Sequence, residues 1–315
     1  MNNIKNYPES VPLELNVKDN LFRAYAFTRP PCADLVFNTL FGWASYFGYK
    51  VSRFENFIFV HCKTSEKLSV LLPLETEKLE VGGWGQRFLR LAEMLSCRCK
   101  EEGVLLEFTG IPESYAVKLP EGRFGVSLER DHFDYVYKRQ DLAELNGRAY
   151  AQKRNLIKQF ENRYNYSYEP LGKGNVHEFE AFIRSWEVTK AGDGILGSGA
   201  YCMACRLIES FGALELFGGL IRVEGKPVAA TIASIEQRFD YGGGTHPTAV
   251  VHHENALTHY KGAYQIINRE FAKDLPKNVI YVNREEDLGI EGLRKAKMSY
   301  NPEMLINKAT VKLME

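Results

Sequence analysis

The run Asn283-Arg284-Glu285-Glu286-Asp287 sets three carboxylates beside a guanidinium within five residues. Transfer of an acyl or aminoacyl group needs those types. A base takes the proton of an attacking amine or hydroxyl, a cation meets the oxyanion, and an acid protonates the leaving atom. Clustered carboxylates raise one another's proton affinity, which brings one of Glu285 and Glu286 toward a useful range at neutral pH. The same segment also reads as a solvated acidic cap on a helix starting near Ile290. Lys153, Arg154, Lys158 and Arg163 recur at about one helical turn and form a basic strip. Such a strip can grip tRNA phosphates, a coenzyme phosphate or an anionic head group, or can be a solvated charged face. Lys295 and Lys297 form a second, smaller patch.

Other chemistries find less support. His253-Glu254 begins a zinc-protease pattern, but the next histidine, His259, falls six positions after His253 instead of four, so the two do not share a helical face. No metal ligand set is assigned. His252 or His253, with Asn255, can instead donate hydrogen bonds to a substrate, and Asn255 can equally cap a helix. There is no GxSxG elbow and no P-loop Lys-Ser/Thr after Gly82-Gly83-Trp84-Gly85.

Apolar spacing places these residues on a helix over 142–163, a strand YNYSYEPL, helices over 175–189 and 199–211, and then three strands: LELFGGLIRVE, KPVAATIASIE and RFDYGGG. A helix over 253–273, the strand NVIYVN, a helix over 290–298 and the strand MLINKATVKL follow. A helical crossover after a meander lays the next strand parallel to the last one, and a ligand tends to sit where the carboxyl ends of such a pair part. On this reading the edges of the site are 241–245, the loop to His253, and 281–287. Tyr241, Gly243, His246, His253, Asn255, Asn283 and Arg284 then join the basic residues as substrate-binding candidates. The glycines at 242–244 suit close approach of a ligand or a plain turn.

The first half runs in a similar order: two helices, a hairpin of FIFVHC and KLSVLLPL, a helix over 84–102 capped by Gly103, then VLLEF and further short elements. No residue-level repeat links the halves. Element order alone suggests a duplicated, mixed-sheet α/β (α+β) chain of two domains, 1–139 and 140–315, the second carrying the site.

Forty basic and forty acidic side chains leave no net charge, so any polyanion must be met by a local patch. No apolar run is long enough for a membrane span and no signal peptide opens the chain, which points to the cytoplasm. Six scattered cysteines argue against a disulfide scaffold. The pairs Cys97/Cys99 and Cys202/Cys205 lie in helical segments and read as buried structural thiols.

The segments QKRNLIKQFENRY, HHENALTHYKGAYQIINREFA and YVNREEDLGIEGLRKAKMSYNP resemble the DUF2156 family, which is similar to the C-terminal domain of phosphatidylglycerol lysyltransferases. The resemblance implies two tandem GNAT-like (acyl-CoA N-acyltransferase) units akin to the Fem peptidoglycan transferases. It also implies transfer from the acceptor end of an aminoacyl-tRNA to an amine or hydroxyl on a small molecule, peptide or lipid head group. The polytopic membrane segment of the lipid-modifying members is not seen, and no (Q/R)-x-x-G-x-(G/A) loop precedes His253. Acyl-CoA is therefore the alternative co-substrate, no cofactor is expected to be bound tightly, and a non-catalytic ligand-binding relative is a further alternative. Tyr300 resembles in position the tyrosine that protonates the leaving group in many GNAT enzymes, and equally suits a core tyrosine. Glu285, Glu286 and Tyr300 are the catalytic candidates.

Overall fold

A computed structural model describes residues 3–78, 83–189, 197, 199–241 and 244–314. In chain order the first part contains β1 (Val11–Pro12), α1 (Lys18–Tyr25), α2 (Phe37–Phe47), β2 (Lys50–Phe54), β3 (Phe57–Lys63), β4 (Lys67–Val70) and β5 (Leu74–Glu75). There follow α3 (Trp84–Glu102), β6 (Leu105–Pro112), α4 (Glu113–Ala116) and β7 (Phe124–Leu128). The second part contains β8 (Asp134–Lys138), α5 (Arg139–Glu144), α6 (Ala151–Arg163), β9 (Tyr166–Leu171), α7 (Val176–Thr189) and α8 (Ala200–Glu209). Then come β10 (Phe217–Val223), β11 (Lys226–Glu236), β12 (Thr248–Ala256), α9 (Ala263–Asp274), β13 (Tyr281–Asn283), α10 (Glu291–Met298), β14 (Met304–Ile306) and β15 (Lys308–Leu313).

The strands form two mixed sheets. One is ordered β1-β2-β3-β4-β6-β15-β7, with β5 beside β3, and the other β14-β8-β13-β12-β11-β10-β9. Each has one parallel pair made by a helical crossover: α3 carries the chain from the β4/β5 side to β6, and α9 carries it from β12 to β13. That shared topology is the duplication expected from element order.

The sheets do not divide at residue 139. Asp134–Lys138, expected to leave the first unit as an extended tail, lies in the second sheet between β13 and β14. MLINKATVKL, expected as one strand, breaks at Asn307, and its second piece lies in the first sheet between β6 and β7. Each unit therefore lends its last strand to the other. Alternation reports which residues point inward, but not which sheet receives them.

Two further expectations shift. The third meander strand is β12, not RFDYGGG, and the following helix begins at Ala263, not at His253. The polar string His252-His253-Glu254-Asn255 breaks apolar alternation because it faces a cleft. Of the cysteines, Cys32 and Cys99 are buried, whereas Cys97 and Cys202 are exposed, so the buried-thiol expectation fails for those two.

Alternate residues of the second sheet serve two cores. Leu220, Ala230 and Ile232 belong to an apolar cluster with Met203 and Leu207 of α8 and Leu40 and Phe41 of α2, which unites the units. Ile221, Ala229 and Ala233 belong to a second cluster with Ile157 and Phe160 of α6 and Ile266 and Phe271 of α9. Gly262, at φ 98°, lets α9 start against α6, because a Cβ there would lie 2.6 Å from the Leu156 carbonyl oxygen. Among the described residues, no helix is long and apolar enough to cross a membrane.

Candidate active site

Strands β12 and β13 pair in parallel only over Thr248–Val250 and Tyr281–Asn283. Beyond that they part. On β12 the register against β11 skips His252, since Ile232 faces His253 while Ala233 faces Val251. The bulge aims His252 out of the ladder. On the other side Glu285 takes a left-handed φ of 54°, and its N–H donates to the Asn283 Oδ1 at 2.8 Å. The gap opens into a cleft of about 1440 Å³ walled by α2 and β6 of the first unit and by β12, 284–286 and α10 of the second.

Glu285 faces this cleft, and its Oε1 lies 3.3 Å from His252 Nδ1 and 3.5 Å from Thr39 Oγ1. His252 is buried, with Nε2 2.8 Å from Ser234 Oγ. Ser234 is itself buried and does not line the cleft, so the row Ser234-His252-Glu285 orients the carboxylate and offers no serine nucleophile.

The adjacent acids each have cations of their own, which corrects the idea that they raise one another's affinity for protons. Burial favours protonated Glu286, but Lys308 at 3.1 Å and His132 at 3.1 Å outweigh it and hold the group below its ordinary value. Burial likewise acts on Asp287, yet Arg294, the Tyr135 hydroxyl and the Gly289 N–H hold it well below the carboxylate range. Neither is a solvated cap.

Lys308 is the buried hub of this region. Its ammonium lies 2.6 Å from Asp34, 2.9 Å from Asp134 and 3.1 Å from Glu286. Asp134 also accepts from the Ala33 N–H at 2.6 Å and from Asn283 Nδ2 at 2.9 Å. Asn283 is thus fully buried between Asp134 and Glu285, a positioning side chain and not a substrate contact.

At the other end of the notch Arg284 pairs with Glu254 at 2.7 Å and lies 5.1 Å from the Tyr300 ring centre. Lys153 turns inward from α6, with Nζ 4.2 Å from that ring and 2.6 Å from Ser299 Oγ. Burial, then Arg284, lowers its pKa. Tyr300 is nearly buried, and burial raises its hydroxyl pKa. His253 is pushed down to about 4 by burial and is neutral, with Nε2 2.6 Å from Asn255 Nδ2. Lys297 donates to the carbonyls of Arg284, Glu285 and Glu286, and burial and Arg284 bring it down to about 8.

Lys153, His253, Asn255, Arg284, Glu285, Glu286, Lys297 and Tyr300 therefore line one cleft. Tyr241 and His246 do not; they pack on Tyr281 near the start of β12, opposite its carboxyl end. Their sequence assignment follows from reading RFDYGGG as the strand, whereas the strand is Thr248–Ala256. Gly243 lies outside the described residues. The basic strip is split: Arg154 donates to the Leu145 and Gly147 carbonyls, while Lys158 is exposed, and Lys295 on α10 is exposed too. Thr39, Asp34, His132 and Lys308 were missed, because their partners lie 22 to 274 residues away in sequence. Among the described residues no cluster of His, Cys, Asp and Glu side chains could hold a metal ion.

The family described as phosphatidylglycerol lysyltransferase, C-terminal, matches residues 81–311. No curated protein matches the sequence. Among solved structures, a conserved protein of unknown function from Bacteroides thetaiotaomicron is 31% identical, with 97% of this chain and 99% of that chain covered and a TM-score of 0.80. L-PGS from Bacillus licheniformis is similar at 14% identity, 98% and 93% coverage and a TM-score of 0.63. FemX is similar at 7% identity, 97% coverage of both chains and a TM-score of 0.58. The tandem, mixed-sheet α/β fold expected from the sequence is the fold these proteins share.

Proposed function

The chain belongs to the family of phosphatidylglycerol lysyltransferase C-terminal domains, and on that premise we propose that it transfers an aminoacyl group from aminoacyl-tRNA to an amine or hydroxyl acceptor in the cleft between its units. The observation that supports this most is Glu285, a carboxylate set at the parting of β12 and β13 and held by one side chain from each unit, Thr39 and His252. The acceptor gives its proton to Glu285 as it attacks the ester carbonyl. Lys153 and Arg284, two cations against the single carboxylate of Glu254, favour the negative charge that develops on the carbonyl oxygen or accompanies the tRNA end. Tyr300, beneath both, serves as their aromatic floor. Its raised pKa makes it a poor proton donor. Ester aminolysis of this kind requires no metal.

The tRNA donor is favoured over acyl-CoA by the start of α9. A coenzyme pyrophosphate needs free N–H groups at a helix N-terminus. Here Gly262 is pressed against α6, and the N–H groups of Ala263, Gln265 and Ile266 already donate to the carbonyls of Tyr260 and Gly262. On the acceptor side Leu40, Trp43, Phe47 and Met203 give the cleft an apolar wall, suited to an acceptor with an apolar body such as a lipid. The test is thermal protection by charged total tRNA against protection by coenzyme A, followed by transfer of labelled amino acid to phosphatidylglycerol vesicles or a lysine-bearing peptide. Protection by coenzyme A alone would transfer the reading to the acyl-CoA class, and protection by neither to a binding module.

A further inference from the structure

Three carboxylates share one ammonium at the junction of the two units, and only two of them reach the cleft. Lys308 and Asp134 are 1% and 0% exposed, whereas Asp34 and Glu286 are 27% and 22% exposed. Asp134 has two further donors, Ala33 N–H and Asn283, and Glu286 has His132. Asp34, in the single helical turn before α2, draws its hydrogen bond from Lys308 at 2.6 Å and is the carboxylate least supported as an anion. Gly110 across from it stays open, since a Cβ there would sit 3.2 Å from Asp34 Oδ2.

Lys308 alone cannot balance three negative charges in a buried cluster, and His132 reaches only Glu286, so a proton stays on the least supported member. We propose that Asp34, from the first unit, is the catalytic acid that protonates the leaving ribose oxygen, opposite Glu285 as base. The inference rests on the reading of the cleft as an aminoacyl-transfer site. The acceptor N or O forms a bond to the ester carbonyl carbon and its proton passes to Glu285. The carbon–oxygen bond to ribose then breaks, and that oxygen takes the proton of Asp34. Proton return from Glu285 to Asp34 through solvent resets the pair, with no oxidant or reductant involved.

The charged and titratable groups facing Asp34 are Lys308 of β15, Asp134 of β8, Glu286 after β13, His132 after β7, Tyr49 before β2 and the buried Cys32 thiol. Burial, opposed by Lys308 and reinforced by Glu286 and Asp134, pushes Asp34 up to about 7. Two carboxyls whose surroundings separate their proton affinities make an acid and a base.

The test uses Asp34→Asn in the full chain, its fold checked by amide NMR. Transfer of labelled amino acid from charged total tRNA to phosphatidylglycerol vesicles or a lysine-bearing peptide is followed from pH 5.5 to 8.5. The wild-type carboxyl resonances are titrated with 13C-labelled aspartate. The expected result is a carboxyl titrating near 7, a wild-type rate that declines above that pH, and a loss of roughly 10²- to 10³-fold in the variant with KM little changed. An unchanged rate and pH profile in Asp34→Asn, or titration of that carboxyl below about 5 as an ordinary aspartate, overturns the assignment. The titration decides even if the variant fails to fold. Absence of transfer by the wild type with every donor and acceptor sinks the proposed function and this role with it, a pattern distinct from failure of Asp34 alone.

Discussion

Replacing Lys308 with Met removes the hub while keeping much of its volume. Asp34, Asp134 and Glu286 would then face one another without the ammonium that now lies 2.6, 2.9 and 3.1 Å from them. Taking one partner from a buried ion cluster costs about 3–5 kcal/mol, so a loss of about 4 kcal/mol is expected at pH 7.5. The sign of its pH dependence follows from linkage. In the variant the folded-state pKa of these acids rises above the unfolded values of about 4, so the folded state binds more protons and stability falls as pH rises through that window. Acidification restores it, at about 1.4 kcal/mol per unit for each group titrating. Wild-type Asp34, at about 7, has the same sign, but the variant adds at least one further carboxyl. The deficit should therefore shrink by about 2–3 kcal/mol between pH 7.5 and pH 5. Urea unfolding of both proteins at the two pH values measures it. A deficit under about 1 kcal/mol at pH 7.5, or one of equal size at pH 5, would refute the hub as described.

Glu285→Gln should lower single-turnover transfer by about 10²–10⁴-fold with tRNA affinity unchanged. His252→Asn, which leaves the carboxylate but removes its support, should cost less, and an equal loss in the two would assign proton transfer to the histidine instead. Truncation after residue 306 strips β15 from between β6 and β7, so neither that chain nor residues 1–139 alone should fold. A dispersed amide spectrum from either fragment would show the exchanged strand to be dispensable.

Local rules read most of the elements. The i, i+3, i+4, i+7 set Phe88, Leu91, Ala92 and Leu95 is buried along α3 as its spacing requires, and Gly103 ends that helix at φ 68°. What local rules lack is the sheet to which a strand belongs. Tyr135, Val136 and Tyr137 are apolar and buried in the second sheet, but nothing within 134–138 distinguishes that outcome from a strand of the first. The failure at β12 has a different origin. Its last residues are polar because they face the cleft, so the strand loses its periodicity where its function lies, and a nearby glycine run with aromatic neighbours looks more like a strand than the strand itself.

The site divides the same way. Arg284, Glu285 and Glu286 stand out in the sequence because three charges in a row after an apolar strand are costly to bury without purpose. Thr39, Asp34 and Lys308 carry no such mark, since each is an ordinary residue in its own segment. Their meeting depends on the exchange of strands. Asp134 opens β8, which entered the second sheet, Lys308 opens β15, which entered the first, and the two form a 2.9 Å pair where the strands cross between units. That crossing brings Asp34 of one unit within reach of the carboxylates of the other. A chain whose units kept their own last strands would place Asp134 and Lys308 in different surroundings and leave Asp34 without its cation. The exchange that hides the boundary between the halves is thus also what assembles the acid side of the cleft.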